Sequence, residues 1–145
     1  MNLLKQNKGY TLMEIMVVVI LIAILSAAGV PYYKDHIERQ KAALGISNLK
    51  MFTDSVERYM ALHNENVPTD LTLLDLDISN GNFSDNGKKY NDGTFTFSTD
   101  GESSVLAERN TGEYTLSFSL GDDGKLSCTP TTYCSDKLNI SCSES

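Results

Sequence analysis

The sequence has little of the chemistry that most catalytic sites need. It holds only two histidines, His36 and His63, and each is isolated among 145 residues. It contains no recognisable Ser/His/Asp set, phosphate-binding loop or histidine pair with metal-ligand spacing. We therefore predict no enzyme and no catalytic residue, and we expect both histidines on the surface of a helix.

Basic residues are also scarce. The chain has 12 Lys and Arg against 19 Asp and Glu, which gives a net charge of −7. A surface of that sign disfavours general binding to a phosphate backbone. Nucleic acid is therefore not expected as a main partner.

Cysteine is confined to the last 18 residues, at Cys128, Cys134 and Cys142. Spacings of five and seven intervening residues fit a zinc site poorly, and neither histidine is close in sequence. Cysteines in a polar region that follows an apolar segment indicate an exported domain with a disulfide. Three single pairings are open. We favour Cys128–Cys134 ahead of Cys128–Cys142, and either bond would pin the tail to the strand that Cys128 ends.

The most distinctive feature of the sequence is one long apolar run, Tyr10–Val30, which contains a carboxylate. The run is interrupted only by Thr11, Glu14, Ser26 and Gly29. As a helix it would span roughly 31 Å, the thickness of a bilayer core. A charge in such a segment is costly and normally has a partner. A cut after Gly9 would create one, the new amine of Tyr10 about one turn from Glu14.

Two other interpretations of this run are open. The segment could be a simple membrane anchor with Glu14 at the headgroup level. It could also be a secretory signal peptide cut near residues 26–29, although the run is long for such a peptide. Lys5 and Lys8 precede the run without any acidic residue. That positive flank predicts a cytoplasmic start and an outward-facing C-terminal domain.

The residues Gly9-Tyr10-Thr11-Leu12-Met13-Glu14 resemble the prepilin cleavage motif of type IV pilins and type II secretion pseudopilins. The common form is Gly-Phe-Thr-Leu-Ile-Glu-Leu, so this chain differs by conservative changes at Tyr10, Met13 and Ile15. The resemblance implies cleavage after Gly9 by a prepilin peptidase and methylation of the Tyr10 amine. It also implies that Glu14 pairs with the Tyr10 amine of a neighbouring subunit. Pro31 matches the position where the family's helix unwinds locally in filaments.

The resemblance further implies a set of partners and a location. A subunit would lie in the lipid of the bacterial inner membrane, with its C-terminal domain outside the cytoplasm. An assembly platform with its ATPase would then move it into a cell-surface filament of identical or related pilins. A type II secretion pseudopilin is the close alternative, although the cysteine-containing tail favours a pilin. A membrane-anchored extracytoplasmic binding domain is the second alternative.

Beyond Pro31 the apolar residues recur every three or four positions to about His63. They are Ala42, Ile46, Leu49, Phe52, Val56, Tyr59 and Met60. This spacing predicts an amphipathic helix that continues the apolar one. Pro31 should kink or loosen the helix, and Gly45 should weaken it by roughly 1 kcal/mol.

Alternating residues after the helix predict an antiparallel sheet. We expect strands near 94–98, 103–109 and 114–120, a turn at 121–124, and a return strand from Lys125 to Cys128. Leucines between 71 and 78 should pack on the core, and Ser79–Gly93 should be a surface loop. The predicted fold is α+β. Its long N-terminal helix has a protruding apolar half and an amphipathic half that packs on a small sheet, as in type IV pilins.

The predicted organisation has six segments. They are a leader at 1–9, an apolar membrane or filament-core helix at 10–31, an amphipathic helix at 32–63, a connecting loop at 64–93, the sheet at 94–128 and a cysteine-containing loop at 129–145. No cofactor is expected. The one ligand set that suits Ca²⁺ lies in the connecting loop, although its spacing does not match an EF-hand. It comprises Asp77, Asp85 and Asp92 with Asn82, Asn86 and Asn91.

Overall fold

The structure is a computed structural model that describes residues 9–76, 78, 81–121 and 124–141. The leader residues 1–8, Asp77 and Cys142 therefore lie outside the described residues. The chain divides into two compact units, one up to His36 and one from Ile37. Each unit is described separately.

The longest element is α1, which runs from Leu12–Leu62 and contains 51 residues. Its bounds confirm the single helix that the sequence predicts. Helical backbone continues through Pro31, so the proline does not end the helix. Local unwinding at Pro31 stays a prediction for an assembled state.

The second unit contains a six-stranded antiparallel sheet in which the strands pair in sequence order. The strands are β1 (Asn82–Ser84), β2 (Lys89–Asn91), β3 (Phe95–Thr99), β4 (Ser104–Arg109), β5 (Thr115–Ser119) and β6 (Leu126–Thr129). The last four strands confirm the predicted ones. A short 3-10 turn at Leu71–Leu73 precedes the sheet.

The hairpin of β1 and β2 corrects the prediction of a surface loop at 79–93. Phe83 lies opposite Tyr90 in the hairpin, and Tyr90 is buried. Asn86 and Gly87 form the turn with φ values of 54° and 85°. Asn-Gly between aromatic residues is a hairpin signal that the polar composition of this stretch obscured. The sheet therefore begins within the predicted 64–93 connection, at Asn82 and not at residue 94.

The predicted apolar stripe of α1 packs on the inner face of the sheet. Phe52 stacks on Phe97 with ring centroids 4.7 Å apart, and it also contacts Tyr90 at 5.6 Å. Leu71 and Leu74 cover part of the same core, as the leucine cluster predicts. The other core residues from the helix and central strands are Ala42, Leu49, Val56, Phe95, Val105, Ala107 and Leu116.

Gly45 allows a close approach between α1 and the sheet. A Cβ atom built at Gly45 would lie 2.6 Å from two ring carbons of Phe95. Phe95 is buried, and its ring packs edge-on against Tyr114 with centroids 5.9 Å apart. The ring therefore has little room to move. The glycine that lowers helix propensity is the residue that lets this ring fit.

A charged pair also ties α1 to the sheet. The Arg109 Nε donates to Glu38 Oε1 at 2.6 Å, and Nη2 lies 3.3 Å from Oε2. The remaining guanidinium nitrogen donates to the Thr94 carbonyl at 2.7 Å. The Tyr114 hydroxyl donates to Glu38 Oε1 at 3.3 Å. This bidentate geometry satisfies a buried guanidinium, which would be costly without a partner.

The pair keeps both partners ionised. The hydrogen bond from Arg109 holds the pKa of Glu38 below its ordinary value, although burial opposes this. The hydrogen bond to Glu38 likewise raises the pKa of Arg109. Burial, followed by the negative charge of Glu38, raises the pKa of Tyr114, which therefore remains a neutral donor. The cluster is a structural ion pair and not a proton-transfer site.

We predict that Gly45→Ala destabilises the second unit by about 1–2 kcal/mol, because overpacking the Phe95 ring outweighs a helix-propensity gain of about 1 kcal/mol. Urea unfolding of the full chain in detergent micelles measures the change. Gly29→Ala is the matched control, since a Cβ at Gly29 would meet nothing within 4 Å. Stabilisation by Gly45→Ala would show that the ring contact does not constrain this helix position.

We also predict that Glu38→Gln lowers the free energy of unfolding by about 2 kcal/mol at pH 7, because it leaves a buried guanidinium without its counter-charge. Since the pKa of Glu38 is lowered on folding from 4.5, the wild-type advantage is complete above about pH 4.5 and shrinks as the pH falls. Unfolding at pH 7 and pH 3 tests this. The matched control is Lys41→Gln, which removes a more exposed partner of Glu38. A loss that is independent of pH would contradict the charge argument.

Candidate assembly segment

The apolar half of α1 belongs to the first unit and is exposed. Every described side chain from Tyr10 to Val30 is exposed, with Leu12 at 80% and Leu25 at 72%. An 18-residue window of the helix has a mean hydropathy of 2.6, and none of that window is buried. The helix is thus long and apolar enough to cross a membrane, a property that signal sequences share. Exposed apolar surface of this extent marks a lipid or protein interaction site.

Thr11 caps the start of this helix. Its hydroxyl oxygen accepts from the Glu14 backbone N–H at 3.3 Å, and its carbonyl accepts from the same N–H at 3.1 Å. The Thr11 carbonyl also accepts from the Ile15 N–H at 3.3 Å, which is the first i→i−4 hydrogen bond of the helix. Thr-x-x-Glu is the spacing of a capping box. Glu14 therefore lies in the first turn, where the helix dipole favours a carboxylate.

The two residues before Thr11 lie outside the helix. Tyr10 is 79% exposed, and a Cβ built at Gly9 would meet nothing within 4 Å. Gly9 also does not have the positive φ that favours glycine. The described chain therefore gives no reason of its own for glycine at this position. A partner that approaches the backbone closely would give one.

Three of the predicted cleavage and assembly residues, Gly9, Tyr10 and Glu14, lie close together around Thr11, and the fourth, Pro31, lies apart from them. Gly9, Tyr10 and Thr11 directly precede α1 and Glu14 lies in its first turn, whereas Pro31 lies roughly 28 Å further along the helix axis. Sequence reasoning left Glu14 without a partner before cleavage. It overlooked the helix N-terminus, which the Thr11-x-x-Glu14 spacing signals.

The N-terminal segment is similar to segments of known proteins. Residues 4–30 match the family model of the prokaryotic N-terminal methylation motif. A type IV major fimbrial protein of Dichelobacter nodosus is 52% identical over 41 residues, which cover 28% of this chain and 26% of the relative. A fimbrial protein of Pseudomonas aeruginosa is 35% identical over 54 residues, which cover 37% of this chain and 35% of the relative. The N-terminal segment of the chain is therefore similar to that of type IV fimbrial proteins.

The similarity is concentrated in α1. The matched segment spans about a quarter of the length of the first relative and about a third of the second. No solved structure matches the chain. The sheet and the C-terminal segment of this chain are therefore understood from their own contacts.

The candidate calcium ligands within the described residues mostly serve the turns of the hairpin region. Asp92 Oδ1 accepts from the backbone N–H groups of Thr94 and Phe95 at 2.8 and 2.7 Å. Asn91 Oδ1 accepts from the Gly93 N–H at 2.7 Å. Within the described ranges, no three His, Cys, Asp or Glu side chains are grouped so that they could hold a metal ion. These oxygens are explained as turn-forming groups.

His36 is exposed on the surface of α1, as predicted, and His63 is exposed in the turn directly after α1. The His63 ring stacks on Tyr59 with centroids 4.0 Å apart, and its Nδ1 lies 2.9 Å from the Tyr59 carbonyl oxygen. This contact places His63 near the end of the helix, and it gives no arrangement for catalysis.

Cys128 and Cys134 form a disulfide, which confirms the favoured pairing. Both residues are buried. The predicted loop at 129–145 is corrected in part, because residues 131–138 form short helical turns. Tyr133 stacks on Tyr114 at 5.5 Å, and Arg39 Nε donates to the Lys137 carbonyl at 2.8 Å. The C-terminal segment is thus fastened to both the sheet and α1.

We predict that Cys128→Ala with Cys134→Ala lowers the free energy of unfolding by about 2 kcal/mol, since the crosslink no longer restricts the unfolded chain. Urea unfolding of the full chain measures this loss. Treatment of the wild type with reductant should give a similar loss, and the double variant should not respond to reductant. Equal stability of the oxidised wild type and the double variant would contradict a stabilising role for this disulfide.

Proposed function

We propose that this protein is a type IV pilin, a structural subunit of a type IV pilus that is cut after Gly9 by a prepilin peptidase and polymerised through α1. The observation that carries the proposal is the methylation motif at residues 4–30, set on an apolar helix with no buried residue in its central window. Before assembly, membrane lipid covers that surface. In the filament, the helices of identical or related subunits cover it.

Cleavage creates the positively charged partner that Glu14 lacks. Water adds through its oxygen to the Gly9 carbonyl carbon, and the bond to the Tyr10 nitrogen breaks as that nitrogen gains a proton. The products are a leader ending in a carboxylate and a mature chain starting with a cationic amine. Methylation of the Tyr10 nitrogen by a methyl donor, as the family resemblance implies, leaves that cation in place.

The new cation gives the filament its axial register. In a bundle of apolar helices, a carboxylate without a partner is strongly disfavoured. Pairing of Glu14 with the Tyr10 amine of a neighbouring subunit removes that penalty at one stagger only. Other staggers leave both charges in an apolar environment, so the pair selects among alternatives more than it adds affinity.

The proposed route sets the locations and partners. The subunit is inserted in the bacterial inner membrane with its second unit outside the cytoplasm. The peptidase, the inner-membrane assembly platform and its ATPase act on it there. The final location is a filament on the cell surface.

We predict that Glu14→Gln leaves cleavage after Gly9 intact but lowers surface filaments at least about tenfold. Gln preserves the size and hydrogen-bonding capacity of the side chain, including its role in a capping box, and removes only the charge. Mass spectrometry of the N-terminus reports cleavage and methylation, and sheared filaments with electron microscopy report assembly.

Asp54→Asn is the control, because it makes the same chemical change at an exposed position of α1. It should assemble as the wild type does. Filaments of normal number and length from Glu14→Gln would contradict the register mechanism. A wild-type chain that keeps Met1, or that is cut near residue 28, would contradict the proposed function as a whole.

A further inference from the structure

Thr11 lies between the bond proposed for cleavage and the first residue of α1. The hydrogen bonds that open the helix converge on it, from the Glu14 N–H to its hydroxyl and carbonyl oxygens and from the Ile15 N–H to its carbonyl. Gly9 and Tyr10 precede this cap, and both are non-helical and exposed. The position of the cap therefore determines whether Gly9 and Tyr10 stay outside the helix.

Without this cap, little in the sequence would stop the helix at Leu12. None of the three prolines in the chain precedes residue 31. Gly9 lowers helix propensity but does not forbid a helix, and Tyr10 is compatible with one. A threonine N-cap supplies an acceptor to the otherwise unpaired N–H groups of the first turn. That hydrogen bond favours a helix start immediately after Thr11.

The start of the helix matters for hydrolysis of the peptide bond at Gly9. If α1 extended by one turn, the Gly9 carbonyl would accept the backbone N–H of Met13 and would lie inside a helical turn. Its carbon would then be shielded from water and from the groups that activate water. An extended, exposed segment presents the same carbonyl freely, and only that population is competent for cleavage.

We propose that Thr11 is a positioning residue for cleavage, which keeps the Gly9–Tyr10 bond outside the helix by capping α1 through its hydroxyl group. The inference rests on the proposed function, since it concerns the same cleavage. It assigns the threonine a role in the uncut chain, separate from the role of Glu14 in the filament.

Thr11→Val and Thr11→Ser form the matched pair of variants. Valine has nearly the shape of threonine without the hydroxyl acceptor, and serine restores the acceptor without the methyl group. Two measurements are made on each full chain. Carbon-13 chemical shifts of Gly9 and Tyr10 in detergent micelles report the backbone conformation of uncut protein. Cleavage by peptidase-containing membranes reports kcat/KM from the mass of the N-terminus.

Thr11→Val should shift the Gly9 and Tyr10 carbons toward helical values and lower kcat/KM by as much as about fivefold, the equilibrium factor that a typical N-cap provides. Thr11→Ser should resemble the wild type in both measurements. Asp54→Asn should also keep the wild-type cleavage rate, because it leaves the threonine hydroxyl in place and changes an exposed position far along α1. A loss confined to Thr11→Val, with rescue by serine, supports the positioning role.

Three results would overturn this inference. Each would leave the proposed function intact, provided that the wild-type chain is cut after Gly9. Slower cleavage of Thr11→Val with unchanged chemical shifts would assign the hydroxyl to direct contact with the peptidase. Shifted signals with an unchanged rate would show that helix extension does not hinder cleavage. No change in either measurement would show that Thr11 does not set the helix start. Absence of wild-type cleavage after Gly9 would instead overturn the proposed function.

Discussion

The fold of the second unit depends on covering one apolar stripe of α1. That stripe holds Phe52, whose ring lies nearly parallel to the Phe97 ring at 4.7 Å. A single helix cannot bury such a stripe alone, and a sheet with one apolar face is a common solution. The close fit at Gly45 brings the Phe95 ring against the helix backbone. Sequence order then lets six short strands pair as neighbours without any crossover connection.

The buried charge of Arg109 adds to this packing because it is paired with an opposite charge. Arg109 is 6% exposed, yet its guanidinium has partners in Glu38 and the Thr94 carbonyl. It also lies 5.6 Å from the centre of the Phe95 ring. A misplaced register in β4 would bury the same guanidinium without its carboxylate. The pair thus adds specificity to a sheet whose outer face carries mainly small polar residues.

The sequence was most informative where a periodic pattern was long. The spacing of Ala42 to Met60 predicted the buried stripe, and alternation at 114–120 predicted β5. It failed at β1 and β2, because each has three residues and too few alternating positions. The role of Gly45 could not be predicted, since it depends on a ring 50 residues away. The Glu38–Arg109 pair, 71 residues apart, was missed for the same reason.

The candidate site was predicted through a local motif, and its physical content is also local. Cleavage at Gly9 and pairing of Glu14 remain predictions, but the structure adds a reason why Glu14 is tolerated before any partner exists. Its position in the first turn of α1 offers a stabilisation of about 0.3–1 kcal/mol from the helix N-terminus. Membrane-insertion scales place the cost of a carboxylate at the centre of a span at about 2.5–3.5 kcal/mol. Under the proposed function, a weak local stabilisation suffices while Glu14 of the membrane-inserted chain lies near the membrane surface, at the end of the helix. It would not suffice inside a bundle of apolar helices, so the proposed cleavage would make the Tyr10 amine necessary only on assembly.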